Sequence, residues 1–217
     1  MKTYPVCLVG LENQRAVVIG GGKVASRKAQ SLQEAGAPVT AISPEFCVEF
    51  LALDGADVAL EMIRRAYQAG DLAGAFVVVA ATDDPLVNRA VWSEALQRGC
   101  LVNVVDDPEH SNFIVPAVVQ RGEVKIAVTT GGSSPALARR LRERLEKVIG
   151  PEYGELARLL ADLRPELQAR FAPGEPRLKA ALRLVDSDLP AILQRDGMQA
   201  ARDRAEQLLT VPEECGG

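Results

Sequence analysis

A short run rich in β-branched residues, Ala16 to Ile19, stops at three consecutive glycines, and a segment with helical spacing starts at once: residues 17–28 read VVIGGGKVASRK. An apolar run bounded by Arg15 and by glycines reads as a strand buried on both faces. Val24, Lys28, Ser31, Leu32 and Ala35 then fall at helical spacings, and Gly36 stands where a helix would stop. Gly20, Gly22 and Ala25 fit G-x-G-x-x-A between strand and helix, as a dinucleotide-binding loop requires. Gly20 permits a sharp turn, Gly22 removes a side chain where a pyrophosphate must come close, and Ala25 lets helix and strand pack tightly. Amides at the helix start complete an anion site. A tight strand-to-helix turn with no ligand is the plainer alternative.

The rest of the chain extends that unit. Val39 to Ile42, ending at Ser43-Pro44, is a second strand, Val58 to Ile63 a third, Phe76 to Ala81 a fourth and Leu101 to Val105 a fifth. Pro85 to Arg98 has helical spacing, with proline suited to the first turn. Strands alternating with helices imply a parallel sheet covered on both faces. The loop Ala81 to Pro85 would then open on the same crevice as the glycines. After Asp107 the character changes. Phe113 to Gln120 and Val124 to Thr130 flank Arg121-Gly122-Glu123 as an antiparallel hairpin. Ser134 can then cap, and Pro135 start, a helix that ends at Gly150-Pro151. From residue 152 the pattern is helical, with breaks expected near Pro165, at 172–174 and at 188–190, and with a polar tail at 212–217. The fold class is α/β: a Rossmann-like parallel-sheet domain at 1–112, a small hairpin-containing region at 113–150 and a helical C-terminal domain at 151–217.

Composition removes several function classes. The 217 residues carry a formal charge of −4, which argues against sequence-independent binding of nucleic acid. Cysteines at 7, 47, 100 and 215 form no CxxC pair, and the single histidine, His110, completes no metal-ligand spacing. They read as free thiols of a reducing cytosol, with no metal site. No signal-peptide core opens the chain, and no run approaches the ~18 apolar residues of a membrane span. The expectation is a soluble cytoplasmic protein.

Four stretches, GGGKVASRK, VVAATDDPLVN, NVVDDPEHSNFIVPA and TTGGSSPALARRLRERLE, occur in that order. Together they resemble the precorrin-2 dehydrogenase family, which includes the N-terminal module of sirohaem synthase, over about residues 3–150. The resemblance implies an NAD domain, a hairpin-containing dimerisation region and homodimers that oxidise precorrin-2 to sirohydrochlorin with NAD. Some members also insert ferrous iron. Carried over by position, the cofactor residues are Gly20, Gly22, Lys23 and Val24, then Ser43, then Thr82 and Asn103 near the nicotinamide, and the key aspartate is Asp106. Thr130 stands where some relatives carry a phosphorylatable serine.

The reaction sends a hydride to NAD and a proton off the macrocycle, and Asp106 is placed to take that proton. The alternative is that Asp106-Asp107-Pro108 only makes a turn. Asp107 would raise a neighbouring carboxyl's pKa if the two side chains approached, and His110 reads as peripheral. Arg139, Arg140, Arg142, Arg144 and Lys147 read as a solvated helix face, although one or two could answer the substrate's carboxylates. The second strand ends at Ser43 with neither an acid for the ribose nor an arginine beside it, which favours NAD over NADP. A rival reading from another class is a non-catalytic NAD-sensing regulatory module.

Overall fold

The structure, a computed structural model, describes residues 3–53 and 59–210. Val58, the expected start of the third strand, and the tail with Cys215 lie outside the described residues. These residues form two compact units that divide between Val115 and Pro116.

The first unit contains β1 (Arg15–Ile19), α1 (Lys23–Glu34), β2 (Val39–Ser43), α2 (Val48–Leu51), β3 (Leu60–Arg64), β4 (Ala75–Ala80), α3 (Pro85–Arg98) and β5 (Leu101–Val104). All five strands are parallel, in the order β3-β2-β1-β4-β5. The order reverses between β1 and β4, so the loops after these strands open on one crevice. Alternation along each strand divides the core between the two faces. Ala16, Val18, Val39 and Val77 pack beneath Ala25 and Ala29 of α1 and Phe50 of α2. Val17, Ile19, Val78 and Val102 pack beneath Val91 and Ala95 of α3. Helix α2 has no counterpart in the sequence expectations; its four residues are too few to show a period.

The crossover from β3 to β4 has no helix. Arg65 holds Asp71 through two 2.7 Å hydrogen bonds, and Leu72 is fully buried against the α3 side of the sheet. Glu94 of α3 accepts from the Tyr67 hydroxyl, the Gly70 amide and Arg98. Burial pushes the Glu94 carboxyl up, but these hydrogen bonds outweigh it and hold the group below the usual glutamate range. The free edge of β5 is closed by residues 111 and 112. Asn112 Oδ1 accepts from the Val102 amide at 2.7 Å, its Nδ2 donates to the Cys100 carbonyl, and Ser111 Oγ accepts from the Val104 amide.

The second unit opens with the antiparallel pair β6 (Ala117–Arg121) and β7 (Val124–Val128), turning at Gly122. The first hairpin strand starts at Ala117 rather than Phe113, because Phe113 packs against the α1 side of the first unit's core. Four helices follow: α4 (Pro135–Val148), α5 (Glu152–Arg170), α6 (Glu175–Val185) and α7 (Leu189–Thr210). Ser134 caps α4, and the Arg121 side chain donates to the carbonyls of Ile149 and Glu146. The expected break at 172–174 separates α5 from α6, while the one expected at 188–190 falls slightly earlier, at 186–188, because Leu189 and Pro190 already start α7. The break at Pro165 does not occur: α5 runs through it. Leu159, Leu163 and Leu167 form a buried stripe packed among Leu184, Leu193, Ala201 and Ala205, and that burial outweighs the amide proline lacks. Helix α7 bends instead at Gly197, whose φ is 84°.

Candidate functional site

A crevice of about 930 Å³ opens at the carboxyl ends of β1, β2 and β4. Gly20, Gly22, Lys23, Val24, Ser43, Thr82 and Asp106 all line it. Of the cofactor residues and the aspartate carried over by position, Asn103 alone lies elsewhere: its Nδ2 donates to the Phe113 carbonyl at 3.2 Å and so ties β5 to the segment along its edge.

The glycines differ in what they do. Gly20 has φ 125°, and a Cβ there would stand 2.3 Å from the Ala81 carbonyl oxygen, so both backbone conformation and close packing demand glycine. Gly22 caps α1 with φ −80°, and a Cβ there would meet nothing within 4 Å, because the space beyond it is the open crevice. No side chain caps the first amides of α1. An open cradle at the start of a 12-residue helix, with its amides uncapped, fits a dinucleotide's pyrophosphate. Gly21 was not singled out by the fingerprint. Its added Cβ would lie 1.8 Å from the Glu45 carbonyl oxygen, and its own carbonyl accepts from the Cys47 amide. The signal in the sequence is the middle glycine of the run, which the fingerprint leaves open.

On the β2 side, Ser43 is buried at the crevice wall, and Glu45 lines the crevice just beyond it. Lys23 pairs with Glu49 at 3.0 Å, and this hydrogen bond holds its ammonium above the usual lysine range. Sequence reading found no cation beside Ser43. The sheet supplies one, since Arg64 is the register partner of Ser43 on β3 and its guanidinium stands 5.5 Å over the Phe46 ring. A pairing between strands is invisible to a reading along the chain.

The loop after β4 is fixed by Asn88, the last residue of VVAATDDPLVN. Asn88 Oδ1 accepts from the Thr82 hydroxyl at 2.8 Å, and its Nδ2 donates to the Thr82 carbonyl. Asp84 caps α3 by accepting from Leu86 and Val87.

Asp106 occupies the third position of a turn closed by a hydrogen bond from the Asp107 amide to the Val104 carbonyl. Its φ is 59°, the only positive value for a non-glycine among the described residues. That conformation is uncommon, and aspartate is among the residues that tolerate it. Asp107 turns to His110, whose amide and ring nitrogen both contact its carboxylate, the ring at 2.7 Å. Burial pushes the Asp107 carboxyl up, but the His110 hydrogen bonds prevail and keep it below the usual range. The His110 ring meets Trp92 edge-on at 4.8 Å. Asp107 and His110 thus anchor the segment that carries Asp106. Lys28, one turn beyond Val24 on α1, is half-buried. Burial pushes its ammonium down and Arg27 adds to that, while the charge of Asp106 acts in the opposite direction.

Comparison with known proteins agrees with this geometry. Residues 7–117 match a family model described as "Putative NAD(P)-binding", and residues 121–147 match one described as "Sirohaem biosynthesis protein central". The chain is 44% identical over 177 residues to a sirohaem synthase of Methylobacillus flagellatus, covering 82% of this chain and 38% of that protein. It is 39% identical over 209 residues to one of Thioalkalivibrio sulfidiphilus, covering 96% of this chain and 42% of that protein. The chain thus spans about two fifths of the length of these curated relatives. A solved structure described as SirC, precorrin-2 dehydrogenase, superposes with a TM-score of 0.76 at 25% identity, covering 94% of this chain and 100% of that one.

Proposed function

The chain belongs to this NAD(P)-binding family, and from that premise we propose that it is an NAD-dependent dehydrogenase that oxidises precorrin-2 to sirohydrochlorin in sirohaem synthesis. One observation carries the proposal: the Gly20–Gly22 cradle and the Asp106 carboxylate line the same crevice. The sirohaem synthases and the precorrin-2 dehydrogenase to which the chain is similar supply the substrate class.

When bound, NAD supplies a hydride acceptor. Gly22 leaves room for its pyrophosphate, and the uncapped amides of α1 would donate to it. Ser43 would hold the adenosine side, and Thr82, immobilised by Asn88, would stand on the nicotinamide side; both line the crevice. Asp106, held by its turn at the crevice wall, takes the proton that leaves the macrocycle, a role worth roughly 10²–10⁴-fold in rate.

Anaerobic incubation with precorrin-2 and NAD tests the reading. NADH absorbance growing together with a sirohydrochlorin spectrum supports it. Tight NAD binding without turnover would return the protein to the sensing class. Ferrous iron added in a second step reads chelation separately. Among the described residues no three His, Cys, Asp or Glu side chains cluster to hold a metal, so the tetrapyrrole nitrogens with one carboxylate would have to grip the ion.

A homodimer is part of the same proposal. Strand β7 buries none of its residues and Val118 of β6 is 37% exposed, so α4 and α5, which pack against the hairpin, leave part of it uncovered. A second copy covering the hairpin supplies what is missing. Sedimentation showing only a 23.2 kDa species at micromolar concentration would refute it.

A further inference from the structure

One part of GGGKVASRK has no role in cofactor binding: its last residue. Lys28 lies four residues after Val24, hence on the same flank of α1, and Val24 lines the crevice. The adjoining flank, with Ala25 and Ala29, is buried against the sheet. Lys28 is half-buried, and among the described residues it makes no hydrogen bond and no ion pair; by contrast, Lys23 at the start of the same helix is answered by Glu49. The charge of Asp106 acts on it without pairing with it.

A partly buried cation without a partner is costly, and an anion brought in from outside removes the cost. The proposed chemistry also creates a need for it. A polycarboxylate brought against Asp106 places like charges side by side, and Lys28 is an unpaired cation whose charge couples to that of Asp106. We infer that Lys28 is a specificity-determining residue that binds a peripheral carboxylate of the tetrapyrrole, fixing the macrocycle beside Asp106. This inference rests on the dehydrogenase reading of the crevice.

The test compares Lys28→Met and Lys28→Arg with the parent protein. It reads sirohydrochlorin binding by absorbance titration, the KM for precorrin-2, and the Kd for NAD. Lys28→Met is expected to weaken sirohydrochlorin binding and raise the KM by roughly 10- to 100-fold, the usual worth of a charge-assisted hydrogen bond, while NAD binding stays within about twofold. Lys28→Arg restores most of the loss. The octamethyl ester of sirohydrochlorin, which has no carboxylate to offer, should bind the parent and Lys28→Met alike. Unchanged tetrapyrrole binding in Lys28→Met, or a loss shared equally by NAD, overturns the inference while leaving the dehydrogenase reading intact. A parent protein that neither binds sirohydrochlorin nor oxidises precorrin-2 overturns both.

Discussion

Gly21 and Gly22 are neighbours with the same side chain, and the structure assigns them opposite consequences on substitution. An alanine Cβ at position 21 would sit 1.8 Å from the Glu45 carbonyl oxygen and 2.7 Å from Ser43 Oγ. The first obstacle is backbone, so the loop after β2 must move, and the hydrogen bond from the Cys47 amide to the Gly21 carbonyl is strained with it. Overpacking of this kind costs about 1–3 kcal/mol, which at this chain length lowers the melting temperature by roughly 2–12 °C. At position 22 the Cβ meets no protein atom within 4 Å, and φ is −80°, which alanine adopts freely. Stability should therefore change by under about 1 kcal/mol, the small loss coming from alanine's poorer performance at a helix cap. The methyl group instead occupies crevice space, so the same overpacking cost appears in binding, as roughly a 5- to 150-fold rise in the Kd for NAD. Scanning calorimetry with and without NAD, and direct titration, separate the two. If Gly21→Ala melts normally but loses NAD, or Gly22→Ala melts early but binds normally, the argument from Cβ space is wrong.

Three further expectations follow from the site. Asp106→Asn keeps the turn, since asparagine also accepts positive φ, and should slow oxidation of precorrin-2 by roughly 10²–10⁴-fold with NAD affinity nearly unchanged; Asp107→Asn, which disturbs only the contact with His110, should act mainly on melting temperature, and near-wild-type rates in both variants would remove Asp106 from the chemistry. Glu94→Gln weakens the hub that pins the β3–β4 crossover and should cost about 1–3 kcal/mol at neutral pH. Because the Glu94 carboxyl sits below the usual range, its contribution is present above the unfolded-state pKa and is lost as pH falls through the depressed folded value. The melting difference from the parent should therefore shrink in acid, and a constant gap would refute the assignment. NAD should bind roughly tenfold or more tightly than NADP, about 1.4 kcal/mol, because Glu45 lines the crevice beside Ser43; tighter NADP binding that disappears in Arg64→Ala would overturn this and make Arg64 the partner of the 2′-phosphate.

What could be read along the chain was whatever its local pattern encodes. The five parallel strands, the glycine loop and α3 with its Pro85 start all follow from periodicity and punctuation within a dozen residues. Asp106 and Thr82 could be placed because both stand at strand ends, and strand ends converge in a doubly wound sheet. The misses share a cause. Arg64 stands beside Ser43 only through strand register, and Asn103 turns to Phe113 because residues 111 and 112 seal the edge of β5. Pro165 stays inside α5 because of leucines packed from other helices. Each depends on partners distant in sequence, which neither propensity nor spacing reports. Asn88 and Gly21 are different: both were visible within quoted motifs, and only their hydrogen-bonding and packing duties had to wait for coordinates.

The turn that holds Asp106 also limits how this position can drift. Glutamate carries the same acid, but a longer side chain gains nothing in the left-handed region, where only glycine, asparagine and aspartate are at ease. The acid here therefore has one permitted length. Of the exchanges the backbone accepts readily, both delete the carboxyl group and neither disturbs the glycine cradle. A descendant released from selection for catalysis would thus exchange this aspartate for asparagine or glycine without unfolding and would still hold its dinucleotide. Under the proposed mechanism, one substitution at this turn would separate a dehydrogenase from a protein that merely reports how much cofactor is present.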